Sequence, residues 1–179
     1  MEITASSIYN WETIKKYNFF HTFSKRKIGK LLIPTIVIVS IVMVLCTVLS
    51  IVGDFFDRTL LYLDILVIVL VFLEFFIWFA IPKISFKMNK LNKNFENHYT
   101  FKEDSLNVSG QNSELKGTTE ISYQKLNCIC ETFDFFYIYI NSRMAFIVDK
   151  STISGGTEEQ LRNYLIKAVG DKKYKYYYK

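Results

Sequence analysis

Leu31–Val52 reads LLIPTIVIVSIVMVLCTVLSIV, and Leu60–Ile81 reads LLYLDILVIVLVFLEFFIWFAI. The polar break GDFFDRT, Gly53–Thr59, separates them. A hydrocarbon core of about 30 Å takes about 20 apolar residues of helix, and each run reaches that length. The first run carries no charge, and the second carries only Asp64 and Glu74. The expectation is a membrane α-helical hairpin of two transmembrane helices, residues 31–82, with the remaining chain on one side of a bilayer.

Charge assigns the side. Of the 179 residues, 50% are hydrophobic, too many for an ordinary soluble domain, and the net charge is +5. Lys25, Arg26, Lys27 and Lys30 precede the first run; Lys83, Lys87, Lys90 and Lys93 follow the second. Basic residues therefore flank the outer ends of the hairpin and not its turn. The positive-inside rule then puts both termini in the cytoplasm of a multi-pass membrane protein. Some thirty polar and aromatic residues precede the first run, which is itself too long for a signal-peptide core, so no cleaved leader is expected. Cys46 falls in a run, and Cys128 and Cys130 fall where thiols stay reduced, so no disulfide is expected. The sequon at Asn107 would be inert on that side.

Outside the runs the text divides further. Residues 1–30 read as an extended piece and then a basic amphipathic helix, capped by Ser6 or Ser7 and carrying Ile8, Trp11, Ile14, Phe19 and Phe23. Such an arm either lies in the headgroup region or packs on the cytoplasmic domain. Pro34 is expected in the first turn of the first span, and Pro82 at the end of the second. Residues 83–97 read as a basic helical stalk. From 98 to 170 the period becomes two, with six short β-branched or aromatic runs separated by turn residues. Thr157 then caps a helix whose stripe is Leu161, Tyr164, Leu165 and Ala168. The expected fold there is α+β, a bent antiparallel sheet closed by a C-terminal helix. Residues 171–179 form a Lys/Tyr-rich tail, read either as a membrane-interface signal or as a solvated end.

That order of parts resembles the YcxB-like family of bacterial membrane proteins. The likeness is carried by Tyr99-Thr100-Phe101-Lys102-Glu103-Asp104-Ser105-Leu106 and Ile121-Ser122-Tyr123-Gln124-Lys125-Leu126, then Glu131-Thr132, Phe136-Tyr137-Ile138-Tyr139 and Ala145-Phe146-Ile147-Val148. The resemblance implies a pleckstrin-homology-like domain, a strongly bent seven-stranded sheet capped by a helix. Only six strands are countable after the apolar runs, so either two are merged or Glu2–Ala5 supplies another.

No catalytic signature accompanies these parts. Asp64 and Glu74 are the sharpest candidates, because ionisable groups in a span are costly. Ser40, Met43, Thr47 and Ser50 share a helix face and make a polar seam with those carboxyls, which would hold the hairpin or a homo-oligomer together. Cys128-x-Cys130 alone is a weak metal signal, and no cofactor or metal is implied. Residues 98–170 carry seven basic and nine acidic residues with no basic stripe, which argues against nucleic acid. The expected function is non-enzymatic: a protein anchored in the lipid bilayer whose cytoplasmic domain binds an unidentified protein partner or lipid headgroups, the latter through Lys25, Arg26, Lys27 and Lys30. Immunity against a membrane-active toxin, or a small transporter or pore subunit using Glu74, are the alternatives.

Overall fold

A computed structural model describes residues 2–25, 28–53, 58–88, 95–111 and 116–178. In chain order the elements are β1 (Ile3–Tyr9), α1 (Trp11–Phe19), α2 (Ile28–Val52), α3 (Arg58–Met88), β2 (Phe95–Phe101), β3 (Ser105–Gln111), β4 (Lys116–Ser122), β5 (Cys128–Glu131), β6 (Phe135–Tyr139), β7 (Ala145–Asp149), α4 (Glu158–Val169) and β8 (Tyr174–Tyr176). They form two compact units. One combines Met1–Tyr17 with Lys90–Lys179, and the other is Asn18–Asn89.

The first unit contains two four-stranded sheets in place of the single bent sheet expected, ordered β1-β2-β3-β4 and β7-β6-β5-β8. All six strands expected after residue 98 are present, and both chain ends add one more. β1 pairs antiparallel with the whole of β2, from Ile3↔Phe101 to Tyr9↔Phe95. β8, in the Lys/Tyr-rich tail, pairs parallel with β5. The unit is thus built from both ends of the chain, whereas a contiguous 98–170 is the sequence expectation. The stalk also divides: α3 runs to Met88, and Phe95–Asn97 already belong to β2.

Alternation explains the first sheet. Ile3, Ala5 and Ser7 of β1 and Leu106, Val108 and Gly110 of β3 turn inward, while the residues between them are more exposed. A Cβ on Gly110 would lie 2.5 Å from the Phe95 ring and force that side chain to shift. Ile3, Ala5, Leu106 and Val108 share one core with Ile129, Phe136 and Ile138 of the second sheet and Leu161 and Leu165 of α4. Thr157 caps α4 as expected, in a capping box with Gln160. Gly155, two residues earlier, has φ +76, and a Cβ on it would sit 2.4 Å from the Glu2 carbonyl oxygen.

All five β6 residues are buried, so the second sheet is covered on both faces. The face away from the core receives α1. The Tyr17 ring lies 5.6 Å from that of Tyr137, and its hydroxyl donates to the Arg143 carbonyl at 2.7 Å. Lys16 pairs with Asp134 at 2.8 Å and stands over the Phe135 ring. Packing on the domain is therefore the arm's arrangement. Its cap is Asn10, whose side chain accepts from the Thr13 N–H at 2.9 Å. Ser6 and Ser7 cannot serve, because β1 has taken them into the sheet.

In the second unit, α2 has 25 residues and α3 has 31. Both prolines are interior, since α2 already starts at Ile28 and α3 continues six residues past Pro82. Each proline removes one N–H and leaves the neighbouring helix bonds to carry the backbone on. The two-span transmembrane hairpin requires correction. Among the described residues no helix is long and apolar enough to cross a membrane.

Because β1 closes the first sheet, residues 98–170 expressed alone are expected to be unfolded by circular dichroism. Residues 2–17 joined to 95–178 through a Gly/Ser linker are expected to show a cooperative thermal transition. Equal behaviour of the two fragments would show that the chain ends are dispensable. In the full chain, Gly155→Ala is expected to cost about 1–3 kcal/mol in urea unfolding, from the left-handed φ alone.

Candidate functional site

Of the residues singled out in the sequence, the side chains of Ser40, Thr47 and Lys25 are among those described. Ser40 and Thr47 lie with Ile36 and Met43 on the half-buried face of α2. Ser40 and Met43 line an apolar cleft of about 330 Å³ against Val67, Ile68 and Val71 of α3. The Thr47 hydroxyl donates to its own helix, at the Met43 carbonyl, 3.1 Å away. That pattern satisfies the hydroxyl within the helix. The side chains of Asp64, Glu74, Ser50 and Lys30 lie outside the described residues, as do Arg26 and Lys27. Lys25 is half-buried at the end of the turn that follows α1.

The strongest electrostatic feature is one that periodicity does not mark. Glu131, the last residue of β5, has 0% of its side chain exposed. Arg162 of α4 reaches it through Nε, 3.0 Å from each carboxylate oxygen, and through Nη2 at 2.7 Å. Lys150, only 6% exposed, donates at 2.6 Å. The Tyr174 hydroxyl donates at 2.5 Å, and the Tyr178 hydroxyl donates as well. Glu158 completes the cluster, 2.9 Å from Lys150 and 2.5 Å from Arg162. Two carboxylates thus face two cations, and the cluster is internally neutral.

Burial pushes the Glu131 carboxyl up, but hydrogen bonds from Arg162, Lys150, Tyr174 and Tyr178 outweigh it and hold the group at about 2. Burial lowers Lys150, and its two carboxylate partners more than restore it. The bond to Glu131 raises Arg162. Glu131, Lys150 and Arg162 therefore keep their ordinary charges at neutral pH. With each donor committed to a neighbour, the cluster has no group poised to exchange a proton. Its geometry is that of a pin joining β5, the loop after β7, α4 and the tail. The Lys/Tyr tail, read from sequence as a membrane signal or a free end, is part of the fold. The signal that would have found it is Tyr174, Tyr176 and Tyr178 at strand spacing.

The edges of the sheets differ in how they are closed. On β1, Thr4 exchanges bonds with Ser154 at 2.9 and 2.8 Å, and the Thr152 hydroxyl bonds both Ser6 N–H and Ser6 C=O. On β7, the Ile147 N–H donates to the Tyr9 hydroxyl at 3.2 Å. β8 is only three residues long. By contrast Lys116–Glu120 of β4 are all exposed. Among the described residues β4 is the long open edge, which makes it the candidate recognition surface.

Cys128 and Cys130 do point to one side of β5, buried and unbridged, on the face away from the main core. Among the described residues no group of three or more His, Cys, Asp or Glu could hold a metal ion.

Glu131 supplies a pH test. Its folded value lies below the ordinary 4.5, so ionisation favours the folded state. That contribution, about 3 kcal/mol, is complete above pH 4.5 and is lost as pH falls towards 2. Urea unfolding of the wild type across this window should show the loss. Glu131→Ala should be less stable by about 3–5 kcal/mol at pH 7, because the buried Lys150 and the half-buried Arg162 lose their shared buried carboxylate, and flatter in the same acid range.

Residues 102–165 match the family described as YcxB-like protein. No curated protein and no solved structure matches the chain. The matched stretch runs from the residue after β2 into α4 and contains Glu131, Lys150, Glu158 and Arg162. It leaves out β1, α2, α3 and the tail tyrosines. The resemblance expected from the sequence is thus shown over residues 102–165, which match the YcxB-like family.

Proposed function

We propose that this chain is a non-enzymatic interaction protein held at the cytoplasmic face of a bacterial inner membrane, with its two-sheet unit as the recognition module. The observation that carries the reading is the apolar surface of the second unit. Val44, Leu49, Val52 and Phe72 are 62%, 69%, 80% and 72% exposed, and many Val, Ile and Leu side chains around them are at least half exposed. A surface of this extent is not stable bare in water and calls for an apolar cover. Lipid suits it because the basic residues Lys25, Arg26, Lys27 and Lys30 cluster at the start of α2 in sequence and favour anionic headgroups.

The non-enzymatic part is supported by the Glu131 cluster, whose ionisable groups are spent on one another. A four-stranded meander, a three-stranded meander and a closing helix support a pleckstrin-homology-like reading of the first unit. An adaptor needs no more than that: a rigid module and something that concentrates it at a surface.

Flotation tests the membrane reading. The full chain should rise with vesicles of phosphatidylethanolamine and phosphatidylglycerol and should stay with them in high salt, which screens headgroup attraction but not apolar contact. Leu49→Glu with Phe72→Glu should weaken retention. A chain that remains in the soluble fraction with its native fold would overturn the reading.

A further inference from the structure

We infer that the open edge of β4 is a self-association site, at which β4 of one copy pairs antiparallel with β4 of a second copy about a two-fold axis at Thr118.

Backbone phase indicates which groups are free. The Tyr123 N–H bonds the Asp104 carbonyl at 3.3 Å, one step beyond the pair Ser105↔Ser122. In an antiparallel ladder alternate residues turn their N–H and C=O to the same neighbour. Ile121, Thr119 and Gly117 therefore bond to β3, opposite Leu106, Val108 and Gly110. Glu120, Thr118 and Lys116 turn their backbone groups to the open side. These are strong donors and acceptors in a straight row, on a strand with no proline.

Side chains choose the occupant and the register. Only pairings that set outward-facing residues opposite one another can form the ladder. Centring the pair on Thr118 places Lys116 directly opposite Glu120 of the partner copy, and Glu120 opposite the partner's Lys116. Two opposite-charge cross-strand pairs then flank a Thr118–Thr118 contact, an arrangement that favours pairing. Moving the axis to Glu120 would set like charges face to face. Moving it to Thr119 would place Lys116 opposite Ser122 and forgo both charge pairs. A strand that carries complementary charges two residues either side of its centre is complementary to itself when reversed. The result is a continuous eight-stranded sheet across two copies, with an isologous interface. A contact this small is weak between freely diffusing chains and gains from any surface that concentrates both copies, although the pairing itself does not depend on lipid.

The test uses full-length chain in detergent, on a Cys46→Ser background. Thr118→Cys sets two cysteines about 5.5 Å apart between Cα atoms across the axis, within disulfide reach, and mild oxidation should give a cross-linked dimer. Thr100→Cys, on β2 and away from the edge, should not. Lys116→Glu should lower the cross-linked fraction roughly tenfold, and adding Glu120→Lys should restore it. Thr118→Pro removes the central outward N–H without touching the β3 ladder, so it should abolish the dimer while leaving the thermal transition in place. Equal cross-linking at 118 and 100, or a dimer that survives Thr118→Pro, overturns the inference. So does a Thr118→Cys chain that couples only to other proteins, which would give the edge to a foreign strand. Vesicle binding is unaffected by all of these changes, so failure here and failure of the membrane reading remain distinguishable.

Discussion

A carboxylate sealed from water is unstable unless its charge is met, and Glu131 is met by four hydrogen bonds from Arg162 and Lys150 and by the hydroxyls of Tyr174 and Tyr178. Those partners come from α4, from the loop after β7 and from the C-terminal tail. None of these segments holds its position through apolar burial alone. α4 buries Leu161 and Leu165, the loop buries nothing completely, and the tail buries one tyrosine ring. The buried charge supplies direction where the hydrophobic effect supplies only attraction: each partner has to approach one point with a specified atom. Once they have done so, the second sheet acquires its fourth strand and α4 lies fixed across the core.

A second constraint is the pairing of β1 with β2. Tyr9, the last residue of β1, stands opposite Phe95, the first of β2. Residues 10–94 are therefore an insertion at a hairpin position, and the first sheet cannot be completed by the C-terminal part of the chain. The same strand then closes its own outer edge on Ser154 and Thr152 and sends the Tyr9 hydroxyl to β7. The N-terminal residues thus join the two sheets as well as extending one. With three edges closed in such ways or kept short, the exposure of β4 stands out as a property of the fold.

Much of this was legible in the residues. Six strands after residue 98, the capping box at Thr157, the apolar stripe of α4 and the shared face of Cys128 and Cys130 all follow from periodicity and turn chemistry. Other features were not. Ser6 and Ser7 look like caps because nothing local says that β2, some ninety residues away, will recruit them. Phe95–Asn97 look like the end of a stalk because their strand character depends on β1 and β3. Glu131 reads as a polar residue at the end of a short run, and its importance exists only when Lys150, Arg162, Tyr174 and Tyr178 arrive. Length and hydropathy of the two apolar runs suggested two spans, a reading that the described parts of α2 and α3 do not carry.

By itself the amino-acid sequence determined the local elements, their approximate order, the family resemblance and the uneven placement of charge, because each depends on neighbours within a turn or a strand. The tertiary structure alone decided which strand closes which edge, that both chain ends belong to one unit, and that a buried carboxylate joins its last pieces. Those outcomes depend on pairings between residues far apart in the chain, whose free energy appears only when distant backbone groups and charges are brought together out of water.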